Sequence, residues 1–239
     1  YFEVKSYPSE ETLGKLALLL NNSSVSVAGD GSGGYSFRVR GEEVASIVAP
    51  NVYDSAAVAN TEPISLGVSQ RKLHLQVNPA FFSDPGTVYP VIVDPAFTLN
   101  PSFDTYVSSE DTTVNFEADA SLWIGTVDGG ATVYRSYLNF NSSSWQGMDV
   151  VSANLNLYLA SSGSCTPKYF SVFGVPAAAS GTVWGNAPAL TGTFVSQIAS
   201  GGYNATCGAK YVSVDVVSLL GSADSVSGTI GFGVKATNE

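Results

Sequence analysis

The side chains that could carry out catalysis are few. A hydrolase needs a nucleophile with a base, a pair of carboxylates, or a metal ion held by side chains. His74 is the single histidine in 239 residues, which excludes a site with two histidine ligands, and no Gly-x-Ser-x-Gly elbow occurs. The segment Gly29–Gly34 is rich in glycine but lacks the lysine and the following helix of a phosphate-binding loop, so it indicates a hairpin turn. We therefore predict that the chain is not an enzyme.

Carboxylates cluster in one stretch between predicted strands. Glu110, Asp111, Glu117 and Asp119 lie within ten residues of each other, and their spacing matches no EF-hand loop. One interpretation is a solvated acidic loop. The other is a calcium site, because Ca²⁺ prefers carboxylate and carbonyl oxygens. For that site we predict Asp104 as the first side-chain ligand, with Glu110 and Asp111 after it.

Cys165 and Cys207 are the only cysteines. Both lie in segments rich in serine, glycine, threonine and asparagine, a setting that suits a disulfide better than a metal cluster. A bridge would close a loop of about 42 residues, worth roughly 4 kcal/mol in the chain-entropy model. The alternative is two unrelated free thiols.

The elements that must position these residues are β-strands. Residues 153–159 alternate alanine and leucine with asparagine and tyrosine, and residues 212–216 alternate valine with serine and aspartate. Such alternation is typical of half-buried strands, and the glycine, proline and asparagine clusters between them indicate turns. We predict an all-β protein. Because Pro90 and Pro95 do not suit a central strand, we place a boundary near residue 96, which gives two β-sandwich units, residues 1–95 and 96–239.

Composition narrows the class of protein. Ten basic and twenty acidic residues give a net charge of −10, which disfavours nucleic acid as a partner. Charged residues make up only 13% of the chain, about half the usual ~25%. The longest apolar run, Leu16–Leu20, is far shorter than the roughly 20 residues of a membrane span. The chain begins at Tyr1 without a methionine or a leader, which predicts a processed form or a fragment.

Short segments along the second half follow a characteristic order. They are Asp104–Val107, Ala120–Gly125, Tyr134–Phe140, Val151–Tyr158, Ser162–Cys165, Thr182–Pro188, Cys207–Val216 and Gly231–Glu239. Through them the chain resembles a DNRLRE-type domain, a jelly-roll module related to carbohydrate-binding modules. The resemblance implies a jelly roll for residues 96–239 and raises the expectation of a structural calcium ion. Relatives commonly continue past the position of Glu239 with a further segment and a closing strand, so the resemblance implies either a jelly roll without its last strand or one that a following segment completes.

Three segments of the first half carry a second resemblance, Gly41–Ile47, Ala49–Asp54 and Asp84–Pro95. Through them the first half is similar to the region that precedes this module in large secreted bacterial proteins. Many of those proteins carry RHS or YD repeats and some end in toxins. The resemblance implies that the chain is part of a larger secreted or surface protein.

Aromatic rings that stack on the apolar face of a pyranose are the usual means of sugar recognition in β-sandwich modules. Trp145 follows a run of serines and Tyr203 follows two glycines, so both lie in evident loops. We predict these two as ligand residues, with Arg135 as a polar partner facing a groove or forming an ion pair. Each loop ring has the alternative of packing under its loop. Trp123 and Trp184 are predicted to be buried.

The functional prediction is a non-catalytic extracellular module, secreted or on the cell surface. It binds polysaccharide or cell-surface glycan, or mediates adhesion, within a larger chain or surface assembly. The alternative is a purely structural spacer in an RHS-type or toxin-delivery protein. Neither nucleic acid nor a membrane span is part of either prediction.

Overall fold

A computed structural model describes residues 2–13, 17–19, 25–69, 72–94, 96–142, 150, 152–223 and 228–239. The chain divides into two compact units, Tyr1–Asn100 (unit 1) and Pro101–Glu239 (unit 2). Helices in the described part of the chain are short, the longest having seven residues. None of these described helices has the length and apolar composition needed to cross a membrane.

Unit 1 is built from antiparallel strands and two short helices. Its sheets have the strand orders β1-β10-β6-β7, β11-β5-β4-β3 and β2-β9-β8. Strand β11 follows the boundary predicted near residue 96 and pairs with β5 of unit 1. The elements are β1 (Phe2–Val4), α1 (Glu10–Leu13), β2 (Ala17–Leu19), β3 (Val25–Gly29), β4 (Tyr35–Val39), β5 (Glu42–Ile47), β6 (Asn51–Tyr53), β7 (Thr61–Pro63), β8 (Ser65–Ser69), β9 (Lys72–Gln76), α2 (Pro79–Ser83), β10 (Val91–Asp94) and β11 (Phe97–Leu99).

Apolar side chains at alternate positions of these strands form the core of unit 1. Val91 and Val93 of β10 point inward and pack with Val52 of β6 and Phe82 of α2. A second cluster joins β4, β5 and β9 through Phe37, Ile47 and Leu73. The single histidine, His74, is half-buried on β9 and hydrogen-bonds to Ser69.

A buried carboxylate fixes two loops of unit 1. Asp54 accepts hydrogen bonds from the backbone N–H of Val88 (3.0 Å) and Asn60 (2.8 Å) and from the Asn60 side-chain amide (2.8 Å). The N–H of Ala56 donates a further bond of 3.2 Å. These donors lower the pKa of Asp54 from 3.8 to about 2, and the Val88 N–H has the largest effect. The ionised form of Asp54 is therefore the form that stabilises unit 1.

The stability of unit 1 is expected to fall between about pH 4 and pH 2 through Asp54. Its pKa is lower in the folded state than in the unfolded state, so its contribution is complete above 3.8 and is lost as the pH falls through about 2. Thermal melts of the native chain and of Asp54→Asn between pH 5 and pH 2 test this. The melting temperature of Asp54→Asn should fall less between pH 5 and pH 2 than that of the native chain. Exposed Asp84, which accepts one bond from Gly86, provides the control Asp84→Asn; equal pH dependence in all three proteins would refute the role of Asp54.

The described residues of unit 2 form two antiparallel sheets. The larger has the order β12-β14-β19-β16-β17, with β13 also paired to β14, and the smaller consists of β15 and β18. The elements are β12 (Phe103–Ser108), β13 (Gly125–Val127), a 3₁₀ turn (Asp128–Gly130), β14 (Thr132–Asn141), β15 (Asn154–Leu159), β16 (Lys168–Val175), β17 (Phe194–Ala199), β18 (Lys210–Asp215), α3 (Val217–Ala223) and β19 (Thr229–Ala236).

The core of unit 2 lies between its two sheets. The larger sheet contributes Val172 and Phe232, and the smaller contributes Leu155 and Val214. Leu219 of α3 is fully buried in the same cluster. Apolar side chains at every second position thus face the core from both sheets, as in other sandwiches. The prediction of an all-β, sandwich-forming chain is confirmed.

The segment 176–190 covers part of the opposite face of the larger sheet. There Tyr137 and Phe173 pack with Ala178, and Trp184 and Leu190 lie against this cluster. The Tyr137 hydroxyl donates a 3.0 Å hydrogen bond to the Pro188 carbonyl. The smaller sheet and the segment 176–190 therefore occupy different faces of the larger sheet.

Candidate functional site

Two exposed tyrosines lie side by side on the smaller sheet of unit 2. Tyr158 of β15 is directly opposite Tyr211 of β18 in the antiparallel register. Their ring centroids are 5.0 Å apart and the ring planes are tilted by 53°. The side of the sheet that carries them faces solvent, and the two residues are 57% and 73% exposed.

Polar residues continue this surface along both strands. Asn156 is opposite Ser213, and Asn154 is opposite Asp215; all four are exposed. Successive pairs on one face of a strand pair lie about 7 Å apart. We call this surface the tyrosine face; its members are Asn154, Asn156, Tyr158, Tyr211, Ser213 and Asp215.

The core of the sandwich fixes the tyrosine face. Because side chains alternate along a strand, burying Leu155, Val212 and Val214 forces the residues between them outward. A slip of one residue would bury polar side chains and expose the valines. The side-chain amide of Gln197 on β17 donates a 2.8 Å bond to the Ser213 carbonyl, which ties β18 to the larger sheet. The tyrosine rings are thus carried by a constrained backbone.

This arrangement offers the two kinds of contact that sugar recognition uses. Aromatic rings provide an apolar surface for the C–H face of a pyranose. The amides of Asn154 and Asn156 both donate and accept hydrogen bonds, as sugar hydroxyls do, and Ser213 adds a further hydroxyl. The Asp215 carboxylate also accepts a 3.0 Å bond from the N–H of Val217 at the start of α3.

The structure describes Tyr203 but not Trp145, the two predicted loop aromatics. Trp145 lies outside the described residues. Tyr203 is 54% exposed, just before a turn in which Asn204 and Cys207 form an isolated bridge. This turn belongs to the loop 200–209, which leads directly into β18. The assignment of Trp145 and Tyr203 as ligand residues stays a prediction.

Arg135 makes an ion pair on the opposite face of the larger sheet. Its Nε and one terminal nitrogen lie 3.0 and 2.8 Å from the same carboxylate oxygen of Glu239. The guanidinium also lies 4.7 Å from the centre of the Trp184 ring, and Lys235 is 3.9 Å from the Glu239 carboxylate. Of the two alternatives, the described geometry is that of the ion pair. The structure does not bring Arg135 together with Tyr203, and a ligand role for Arg135 stays a prediction.

The three predicted calcium ligands do not converge. Asp104 lies near the start of β12, and burial raises the pKa of its half-buried carboxyl. The end of that strand, Ser108, is about 13 Å from Asp104 at the usual rise per residue, and Glu110 and Asp111 follow it. The Glu110 carboxylate accepts a 2.9 Å bond from Thr132. Among the described residues no group of three or more histidine, cysteine, aspartate or glutamate side chains could hold a metal ion, so these three side chains do not form one site, and a bound calcium stays a prediction.

Cys165 and Cys207 are both free, so the predicted disulfide is not formed in the structure. The two are nevertheless close to each other, because the side-chain oxygen of Asn204 accepts from the Cys165 thiol (3.9 Å) and from the Cys207 N–H (3.2 Å). The neighbouring Cys207 side chain raises the pKa of the Cys165 thiol above its usual value.

Sequence reasoning placed one tryptophan incorrectly and overlooked the tyrosine pair. Trp123 was predicted to be buried but is 49% exposed, with its ring 5.7 Å from that of Tyr134. Trp184 is half-buried against the cluster around Tyr137. The sequence does indicate that Tyr158 and Tyr211 face solvent, because each occupies a polar position in an alternating segment. What the sequence lacked was the register that sets one ring opposite the other.

Comparison with known proteins gives two findings. Residues 95–239 match carbohydrate-binding module family 96. Curated relatives include the tRNA nuclease WapA of Bacillus subtilis strain 168 and the tRNA3(Ser)-specific nuclease WapA of Bacillus spizizenii. Each is 28% identical over 144 residues, an alignment that covers 52% of this chain. The chain spans only 6% of the length of these relatives.

Proposed function

Because the chain belongs to carbohydrate-binding module family 96, we propose that unit 2 is a non-catalytic glycan-binding module and that the tyrosine face is its binding site. The observation that carries the location is the exposed pair of Tyr158 and Tyr211. The two residues keep 57% and 73% of their surface in solvent, so their contribution to folding is limited to a cross-strand contact worth roughly 0.2–1 kcal/mol. Their placement is explained by a ligand that covers them.

The tilt between the rings bears on the form of the glycan. Two coplanar rings would make a flat platform for the surface of a crystalline polysaccharide. Rings tilted by 53° form a V-shaped surface instead, which fits a single sugar unit or a twisted single chain. The next pair along the strands, Asn156 and Ser213, is about 7 Å away and can bond the hydroxyls of the adjoining sugar unit. We therefore expect soluble chains or oligosaccharides as ligands.

A glycan-array screen of the purified chain, supplemented by gel retardation on neutral and acidic polysaccharides, tests the proposal. The screen is run in buffer with calcium and again with chelator, so that any role of the metal is measured at the same time. We expect binding to one glycan class. Absence of binding on both platforms, from protein shown to be folded by circular dichroism, would contradict the proposal.

The second candidate function is a structural spacer in a toxin-type protein. It is favoured by the similarity to the WapA nucleases, of which this chain matches only a small part. A spacer needs no ligand and predicts no binding in the same screen. In both cases we propose a secreted or cell-surface location, where glycans and delivery proteins are found.

A further inference from the structure

Two loops of unit 2 lie in backbone contact at one end of the smaller sheet. The loop 160–167 joins β15 to β16, and the loop 200–209 joins β17 to β18. Ser162 donates from its N–H to the Gly202 carbonyl (3.1 Å) and from its hydroxyl to the Gly201 carbonyl (2.6 Å). Gly202 has a φ of +73°, and a Cβ at this position would lie 2.7 Å from the Ser161 Cα. The approach of the loops therefore depends on a glycine.

Each loop carries one cysteine, and the loop contact brings the two residues together. The side-chain oxygen of Asn204 accepts from the N–H of Thr206 (3.0 Å) and of Cys207 (3.2 Å). The same oxygen accepts from the Cys165 thiol of the other loop (3.9 Å), so both cysteines lie against one side-chain atom. Both cysteines are partly exposed. A dissolved oxidant can therefore reach two cysteines that the fold has already placed close together.

We propose that Cys165 and Cys207 are a redox-responsive pair, which closes into a disulfide between the two loops by exchange with a low-molecular-weight disulfide. One protein thiolate attacks a sulfur of the small disulfide and releases one small thiol. The second protein thiolate then attacks the mixed disulfide and releases the other small thiol. The protein thiols lose two protons and two electrons, and one small disulfide becomes two thiols.

Closure should stabilise unit 2, because the bond restricts the unfolded chain across about 42 residues. The bond would tie the loops beyond Leu159 and Lys210, the pair that follows Tyr158 and Tyr211 in the register. The proposal does not depend on glycan binding. Its test concerns only the chemistry of the two thiols.

Incubation of the reduced chain with oxidised glutathione tests the pair. Expected results are an intact mass lower by two hydrogen atoms, no alkylatable thiol and a melting temperature higher by roughly 5–15 °C, all reversed by reductant. Cys165→Ser and Cys207→Ser should each take up one glutathione and gain no melting temperature. Two glutathione adducts on the native chain, or two thiols that remain alkylatable, would overturn the proposal.

Discussion

Replacing Tyr158 and Tyr211 together by alanine is expected to weaken glycan binding about a hundredfold. Each single replacement should weaken it about tenfold, the cost of truncating one well-placed aromatic contact residue. The reason is that the rings supply the apolar surface on which the sugar rests, and alanine supplies almost none. Isothermal titration calorimetry with a glycan identified by the array measures these ratios.

Two control variants test whether the loss of the aromatic rings of Tyr158 and Tyr211 is what weakens glycan binding. Tyr169→Ala removes a tyrosine that is 60% exposed on β16 of the larger sheet, outside the tyrosine face, and should leave binding unchanged. Tyr158→Phe with Tyr211→Phe keeps both rings and should retain most of the affinity. Equal loss of binding in Tyr169→Ala, or full binding in the double alanine variant, would move the site away from the tyrosine face.

Asn139→Ala is expected to produce the largest loss of stability among single polar replacements in unit 2. Its buried side chain donates to the Ala178 carbonyl (2.7 Å) and accepts from the Ala178 N–H (3.0 Å). Alanine leaves both backbone groups buried without these partners, at about 1–3 kcal/mol each. The melting temperature should fall by roughly 5–15 °C, as measured by calorimetry.

Exposed Asn156 on β15 provides the matched control. Asn156→Ala removes the same atoms from a solvated position and should change the free energy of unfolding by no more than about 0.5 kcal/mol. Because Asn156 belongs to the tyrosine face, this variant should instead weaken glycan binding. Similar melting temperatures for the two variants would show that the bonds to Ala178 do not hold the segment 176–190 in place.

The alternation of residue types predicted much of the architecture. Leu155 and Leu157 on one strand and Val212 and Val214 on another were readable as core positions, and the structure buries or half-buries all four. Alternation also assigns the residues between them to the outside. It does not say which strands pair, because long-range pairing depends on the packing of the whole sheet. The tyrosine pair depends on that pairing.

Loop residues were harder to predict than strand residues. Trp123 has apolar neighbours on both sides and yet is half exposed, since it precedes β13 in an irregular segment without a repeating pattern. Asp104 was predicted as a calcium ligand together with Glu110 and Asp111, but most of β12 lies between them, and an extended strand separates residues by about 3.3 Å each. Closeness along the chain therefore overestimated their closeness in space.

The central claim is that sugar binds on the tyrosine face, and NMR of tyrosine-labelled protein tests it most directly. The chain, with ring-labelled tyrosines assigned through single phenylalanine variants, is titrated with the oligosaccharide selected by the array. We predict that the ring signals of Tyr158 and Tyr211 shift together and saturate at one dissociation constant, while those of Tyr169 stay in place. Saturable binding that leaves Tyr158 and Tyr211 unshifted would contradict the claim.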